Sequence, residues 1–459
     1  MSKLLKQSKG LLKYGMAALL AAIPLYPKFP AIGIAGTYVS VRLEDFLMAA
    51  VALLALIAFL PEVKRLFAKK IERSVAILLG IGLVSLLSGI LITQTVVPHI
   101  GLLHWMRRIE YFIPLFIGLL YFRDKKEDTL EFFLKILMIV LVVAFLYGLG
   151  QKYLSWPVII TQNEEYSKGV ALRWIPGSHI NSTFAGHYDL ATFLVLLLPI
   201  FVSLFFVIKK TTSKVLLLVV IFSGLWLLAN AVSRISIVSY LLGVTLALVL
   251  IKRIKAIPIV ILISLVVFGF SSDLLARYMR IIEVTYQKIL STRQINLSPL
   301  TIYAQETLLP QKVVSSPTPT PPPVFEDRST SIRLNVEWPR AIRALKKNTL
   351  LGTGYSSITL ATDNDFLRLL GEVGLLGFLA FCLLFARIFQ TFSKILPVTK
   401  YYQGVSLAFM GGFLGALPGV FLNAFFIDVF EASKFATIFW LLMGIAVAMA
   451  RKKRNEDNI

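Results

Sequence analysis

"HYDLATFLVLLLPIFVSLFFVIKK", residues 187–210, decides the fold. From Leu190 to Ile208 no side chain carries a charge, and Lys209 and Lys210 follow at once. A helix rises about 1.5 Å per residue, so about 20 apolar residues cross roughly 30 Å of hydrocarbon. The stretch reads as a membrane span with its basic end held on one side. The whole chain shares this character: 459 residues are 57% hydrophobic and 16% charged, with a mean hydropathy of +0.77. A soluble domain cannot enclose so much apolar surface around one core.

Working outward, hydropathy places about twelve spans, near 14–27, 44–60, 75–94, 106–122, 130–151, 184–207, 214–230, 235–251, 257–271, 366–391, 402–422 and 435–450. The expectation is an all-α integral membrane protein of about twelve transmembrane helices. The first span follows Lys3, Lys6, Lys9 and Lys13 like a signal peptide, but without a small-residue cleavage site it reads as a retained helix.

The net charge of +22 suggests nucleic acid until its distribution is considered. Basic residues gather in alternate loops: "PEVKRLFAKKIER" at 61–73, "RDKK" at 123–126, "KKTTSK" at 209–214, "KRIK" at 252–255 and "RKKR" at 451–454. This positive-inside pattern puts both termini in the cytoplasm and makes membrane lipid, not nucleic acid, the partner of the charge. Cys382, the single cysteine, falls in a span and forms no internal disulfide.

Two external connections are long, about 152–183 and 272–365. The second contains "SSPTPTPPPVFEDRSTS", whose prolines predict an extended, mobile segment. It continues into "IRLNVEWPRAIRALKKN" at 332–348, where helical spacing predicts a short surface helix presenting Arg333, Arg340 and Arg343. Domain boundaries follow: N-terminal spans over 1–151, a core with the large loop over 152–391, and C-terminal spans with a basic tail over 392–459.

Three segments carry a family resemblance. "RLNVEWPRAIRALKKNTLLGTGYSSITLATDNDFLRLLGEVGLLGFLAF", from Arg333, resembles the signature of the O-antigen ligase and polymerase superfamily: arginine and tryptophan, a glycine turn, then a polar pair opening a helix. "LRWIPGSHINSTFAGHYDLATFLVLLLP" at 172–199 is similar to the family's arginine–glycine–asparagine segment. "NAVSRISIVSYLLG" at 230–243 is similar to its serine–arginine hairpin. The resemblance implies a multi-pass protein of the inner (cytoplasmic) membrane. It would pass a glycan from a polyprenyl-diphosphate donor to another glycan or a terminal acceptor, on the external face, with inversion and without metal or other cofactor.

The chemistry can be weighed on its own terms. A departing diphosphate calls for fixed positive charge, which the planar guanidinium supplies bidentately. An acceptor hydroxyl calls for a base or orienting group. Arg234, in a short external hairpin, and Arg333, ahead of Trp338 and the Gly352–Gly354 turn, are the expected diphosphate contacts, with Arg173 assisting. Arg340, Arg343 and Arg368 are expected to line the site electrostatically.

The family shows histidine then asparagine where this chain has Asp363–Asn364. Asp363 is expected as the helix N-cap, as the acceptor-orienting group, or as both. His179 or His187 is the other source of an imidazole. Glu372, inside a span, calls for a buried partner among the arginines. Gly371, Gly374 and Gly377 read as one smooth packing face.

Two alternatives stand beside this reading. A metal-dependent glycosyltransferase would use Glu44 and Asp45, although these acids open a span, where capping suits them. A transporter of lipid-linked sugars would be expected to show an internal repeat and mid-membrane polar residues. Here the polar residues concentrate in one late external loop, and no repeat is visible.

Overall fold

The computed structural model describes residues 2–27, 30–33, 41–66, 69–124, 127–158, 172–270, 331–359 and 361–457, together with positions 279 and 286. The proline-rich segment lies outside the described residues.

A helix stands at each of the twelve hydropathy maxima. These are α1 (Ser2–Leu25), α2 (Leu43–Leu66), α3 (Lys70–Leu91), α4 (Pro98–Tyr121), α5 (Glu127–Tyr153), α6 (His187–Val207), α7 (Thr211–Ala231), α8 (Arg234–Leu250) and α9 (Ile257–Gly269). After the long connection come the surface helix α10 (Trp338–Lys347), then α11 (Asp365–Ser393), the single turn α12 (Val398–Tyr401), α13 (Gly404–Ala424) and α14 (Ser433–Asp457).

Among the described residues, eight helices are long and apolar enough to cross a membrane. The four others differ from the expectation for physical reasons. Helices α8 and α9 are apolar but short. Helix α4 carries Arg107, Arg108 and Glu110 in its middle, and α1 opens on a run of lysines.

Helices α6 and α14 form the core, with 83% and 94% of their apolar windows buried. Helix α13 packs against α6 and α8 through small residues. A Cβ on Gly412 would strike the backbone of Ile200, one on Gly415 that of Ala247, and one on Gly419 the carbonyl of Ser239. Such close approach gains dispersion energy where lipid offers no hydrophobic driving force. The buried Asn423 locks the contact, donating to Thr192 and Ser236 (both 3.1 Å) and accepting from Ser239 (2.9 Å).

The helix ends sort into two groups. At one end Arg451 pairs with Glu72 (2.5 and 2.8 Å) and Arg123 with Glu62 (2.5 Å). At the other end α1, α3, α5, α7 and α13 finish where α2, α4, α6, α8, α11 and α14 begin. Lys434 at the start of α14 donates to the carbonyls of Pro24 (3.2 Å), Tyr26 (2.7 Å) and Thr183 (2.7 Å). Lys152 at the end of α5 reaches Asn230 at 2.6 Å. All three family-like segments arrive at this second end.

One expectation fails inside α11. Gly374 has φ +74° and ψ −172°, a conformation open to glycine alone, and it breaks the helix instead of smoothing a face. The turn at 349–354 fills the break. Thr353 and Gly354 donate their backbone N–H to the carbonyls of Gly371 (3.0 Å) and Glu372 (2.8 Å). Leu375 and Leu376 donate to Thr349 (2.9 Å) and Leu350 (3.1 Å). Any side chain at Gly374 would collide with the backbone at Gly352. The glycine turn is thereby stitched to α11.

Candidate functional site

The predicted surface helix forms, preceded by a π-helical turn over Arg333–Glu337. That turn lowers Arg333 onto the N-terminus of α11. Its Nε and Nη2 donate to one oxygen, Asp363 Oδ2, at 3.0 and 2.8 Å. Nη2 also reaches the Tyr188 hydroxyl at 3.3 Å, with the guanidinium 5.9 Å from that ring's centre. Among the described residues neither Arg333 Nη1 nor Asp363 Oδ1 has a hydrogen-bond partner. The pair is 12% and 22% exposed, so both unused atoms stand at a partly open surface.

Tyr188 is the second residue of α6 and brings the early segment to this pair. The His187 ring lies 4.0 Å from the Tyr188 ring and 4.1 Å from that of His179. Both imidazoles foreseen as substitutes for the family histidine therefore sit in a short aromatic row leading to Arg333.

Asp363 is not the helix cap. Asn364 is, accepting from the Leu367 N–H at 2.9 Å, while Asp363 precedes it with φ +49°. The Asp428 carboxylate fixes this conformation from the connection between α13 and α14. It accepts from the backbone N–H of Thr362 (2.9 Å) and of Asn364 (3.0 Å), on either side of Asp363. In return Asp365 accepts from the N–H groups of Val429 (2.8 Å) and Phe430 (3.2 Å). Each loop thus holds the other's backbone by a carboxylate.

Burial raises the Asp363 carboxyl above its usual range; Arg333 pulls it back and the Asp428 charge adds to the rise. Glu337, closing the π-helical turn, is pushed up to about 7 by burial and by the charges of Asp363 and Asp428, against Arg333 and Arg340. Among the described residues, its Oε2, Trp338 Nε1 and Arg340 Nη1 are buried polar atoms with no hydrogen-bond partner.

A second charge cluster lies deeper. Arg368 is fully buried, donating to Asp428 (3.1 Å) and the Ile358 carbonyl (3.2 Å), with Glu372 and Glu431 each 3.7 Å away. Glu431 also binds Arg108 of α4. Burial alone would raise the Glu431 carboxyl, but Arg108 and Arg368 outweigh it and hold it below the ordinary range. Beside this cluster a cleft runs between Phe366, Phe381, Phe430, Trp440 and Phe112, with Arg108, Glu372 and Glu431 at its polar end.

The expected residues separate accordingly. Arg333 and Asp363 are in direct contact. Arg234 opens α8 at the same end of the bundle, half-buried. Arg173 lies in a two-residue strand, Leu172–Arg173, paired with Pro157–Val158. Arg340 lies on α10 near Glu337 and Asn364 caps α11 next to Asp363, whereas Arg343 is exposed to solvent. Glu372 has the buried arginine partner expected of it, namely Arg368.

Glu44 and Asp45 are engaged by arginines. Asp45 accepts from the Arg42 N–H at 2.9 Å and pairs with Arg107 at 2.6 Å; Glu44 lies 3.5 Å from Arg42. Among the described residues no three His, Cys, Asp or Glu side chains converge as metal ligands do.

Sequence reasoning missed Tyr188, Glu337, Asp428 and Glu431. The one available signal was "DVFE" at 428–431, two acids between two apolar runs.

Residues 217–382 match the family model for O-antigen ligase. The match supports the superfamily to which the three motifs pointed, and with it glycan transfer in surface-polysaccharide synthesis. It includes Arg234, Arg333 and Asp363 and ends before Asp428. Among curated proteins none matches the chain.

Proposed function

We propose, with the O-antigen ligase match as premise, that the chain transfers a glycan from a polyprenyl diphosphate to another glycan or a terminal acceptor. The reaction takes place at the outer face of the cytoplasmic membrane. The half-used ion pair carries this reading: Arg333 keeps an N–H for a phosphate oxygen while Asp363 keeps an oxygen for a hydroxyl. The two side chains are 12% and 22% exposed, so both spare atoms can exchange water for substrate without breaking the ion pair.

In the proposed step the acceptor oxygen attacks the anomeric carbon from the face opposite the diphosphate. The new C–O bond forms as the old one breaks, and the diphosphate leaves with the bonding electrons. Arg333 and Arg234, assisted by Arg173, hold the charge that develops there. Asp363 Oδ1 orients the acceptor hydroxyl and receives its proton. Asn364, Arg340 and Glu372 line the surroundings, and the aromatic cleft suits an isoprenoid tail.

The test uses purified protein in liposomes with the producing cell's pool of lipid-linked glycans. A ladder of repeat units on a gel means polymerisation. A product formed only after a second acceptor is added means ligation. Donor moved between leaflets without a new product overturns the reading in favour of transport.

A further inference from the structure

We infer that Asp428, beyond the family match, is a positioning residue that aims the Asp363 carboxylate; the inference rests on the transfer reading proposed above. Four observations support it. One carboxylate binds the two amides that flank Asp363, at 2.9 and 3.0 Å. Asp363 between them is left-handed at φ +49°, a conformation uncommon for L-residues though more accessible to Asp, and the two bonded amides hold it there. Asp428 is itself held by Arg368 at 3.1 Å, so the clasp is anchored in the buried cluster. The reciprocal bonds from Val429 and Phe430 to Asp365 fix the distance between the two loops.

The geometry explains why a carboxylate is needed. Two N–H groups and a guanidinium point at Asp428, and all three require acceptors. An amide would present its NH2 group to one of them. Without the clasp, residues 362–364 lose the constraint that turns Asp363 away from the helix axis and onto Arg333. Asp428 also adds negative charge beside Asp363, whose other charged or titratable neighbours are Arg333 and, through it, Tyr188, with Glu337 one turn away.

Two readouts test this. The first is amide hydrogen exchange in the full chain in detergent, which needs no activity. In Asp428→Ala, exchange at Thr362 and Asn364 should accelerate about tenfold for each lost bond, with α13 and α14 unchanged. Unchanged exchange at these two amides overturns the clasp.

The second is a double-mutant cycle in the liposome transfer assay. Asp428→Ala and Asp363→Asn should each lower turnover ~10- to 100-fold with little change in donor KM. The double variant should be no worse than Asp363→Asn, and Asp428→Glu should recover part of the loss. An additive double variant would show that Asp428 acts on the fold alone and overturns the positioning role. If wild-type protein transfers nothing, the transfer reading fails, while the exchange result still decides whether the clasp exists.

Discussion

The molecule contains two clusters of arginine and carboxylate, joined through Asp428 and built on opposite principles. In the deep cluster Arg368 meets Asp428, Glu372, Glu431 and a backbone carbonyl. At the mouth Arg333 turns one edge to a single oxygen of Asp363, and among the described residues its Nη1 has no partner. A buried guanidinium surrounded by acceptors is what membrane depth demands, since each unsatisfied polar group there costs several kcal/mol. At the mouth water can satisfy the spare atoms, so this pair is free to exchange solvent for substrate. On the proposed reading the deep cluster is scaffold and the shallow one is the transfer site.

Substitutions separate the two. The largest effect should come from Arg368→Ala, which takes the arginine partner from buried Glu372 and one partner each from Asp428 and Glu431. Breaking a buried pair costs about 3–5 kcal/mol, so this variant should yield little folded protein on size-exclusion chromatography in detergent. Should it fold and melt like wild type, the deep cluster is not scaffold. Next comes Asp363→Asn, expected to lower transfer ~10- to 100-fold while leaving the thermal midpoint in place. A midpoint lowered together with activity would merge the two clusters into one structural unit.

The smallest effect sharpens the comparison through pH. Glu337 holds its proton up to about 7, whereas its ordinary value is 4.5. Between these values the unfolded chain has released the proton and the folded chain has not. This group's contribution therefore falls as pH rises through the window. Glu337→Gln removes the dependence: measured against wild type, its midpoint should gain between pH 5 and pH 8. A difference that is flat across that range would contradict the buried, acid-crowded setting assigned to Glu337.

Much of the scaffold was legible because its signal is local. Apolar runs gave helices at every maximum, and the spacing in "IRLNVEWPRAIRALKKN" gave a surface helix with Arg333 at its start. Gly371 of α11 does approach the backbone of Ala341 closely, but Gly374 was misread because a three-residue spacing suits a packing face and a broken helix equally well. Only the partner turn at 349–354 distinguishes them, and it lies outside the helix.

The cap was misplaced by one residue for a similar reason. Local rules allow Asp363 or Asn364 to cap, and the choice is made by Asp428, more than sixty positions away in the chain. Motif matching found Arg333 and Asp363 but passed over Tyr188, Glu337 and Asp428, whose significance is their place around that pair.

The most direct measurement compares Arg333→Ala with wild type for glycan transfer in liposomes and for thermal midpoint in detergent. The account predicts a loss of transfer of about 100-fold or more, as when a charge-stabilising donor is removed, with the midpoint close to that of wild type. Transfer at the wild-type rate, or a protein that no longer folds, would contradict the assignment of the shallow pair as the site.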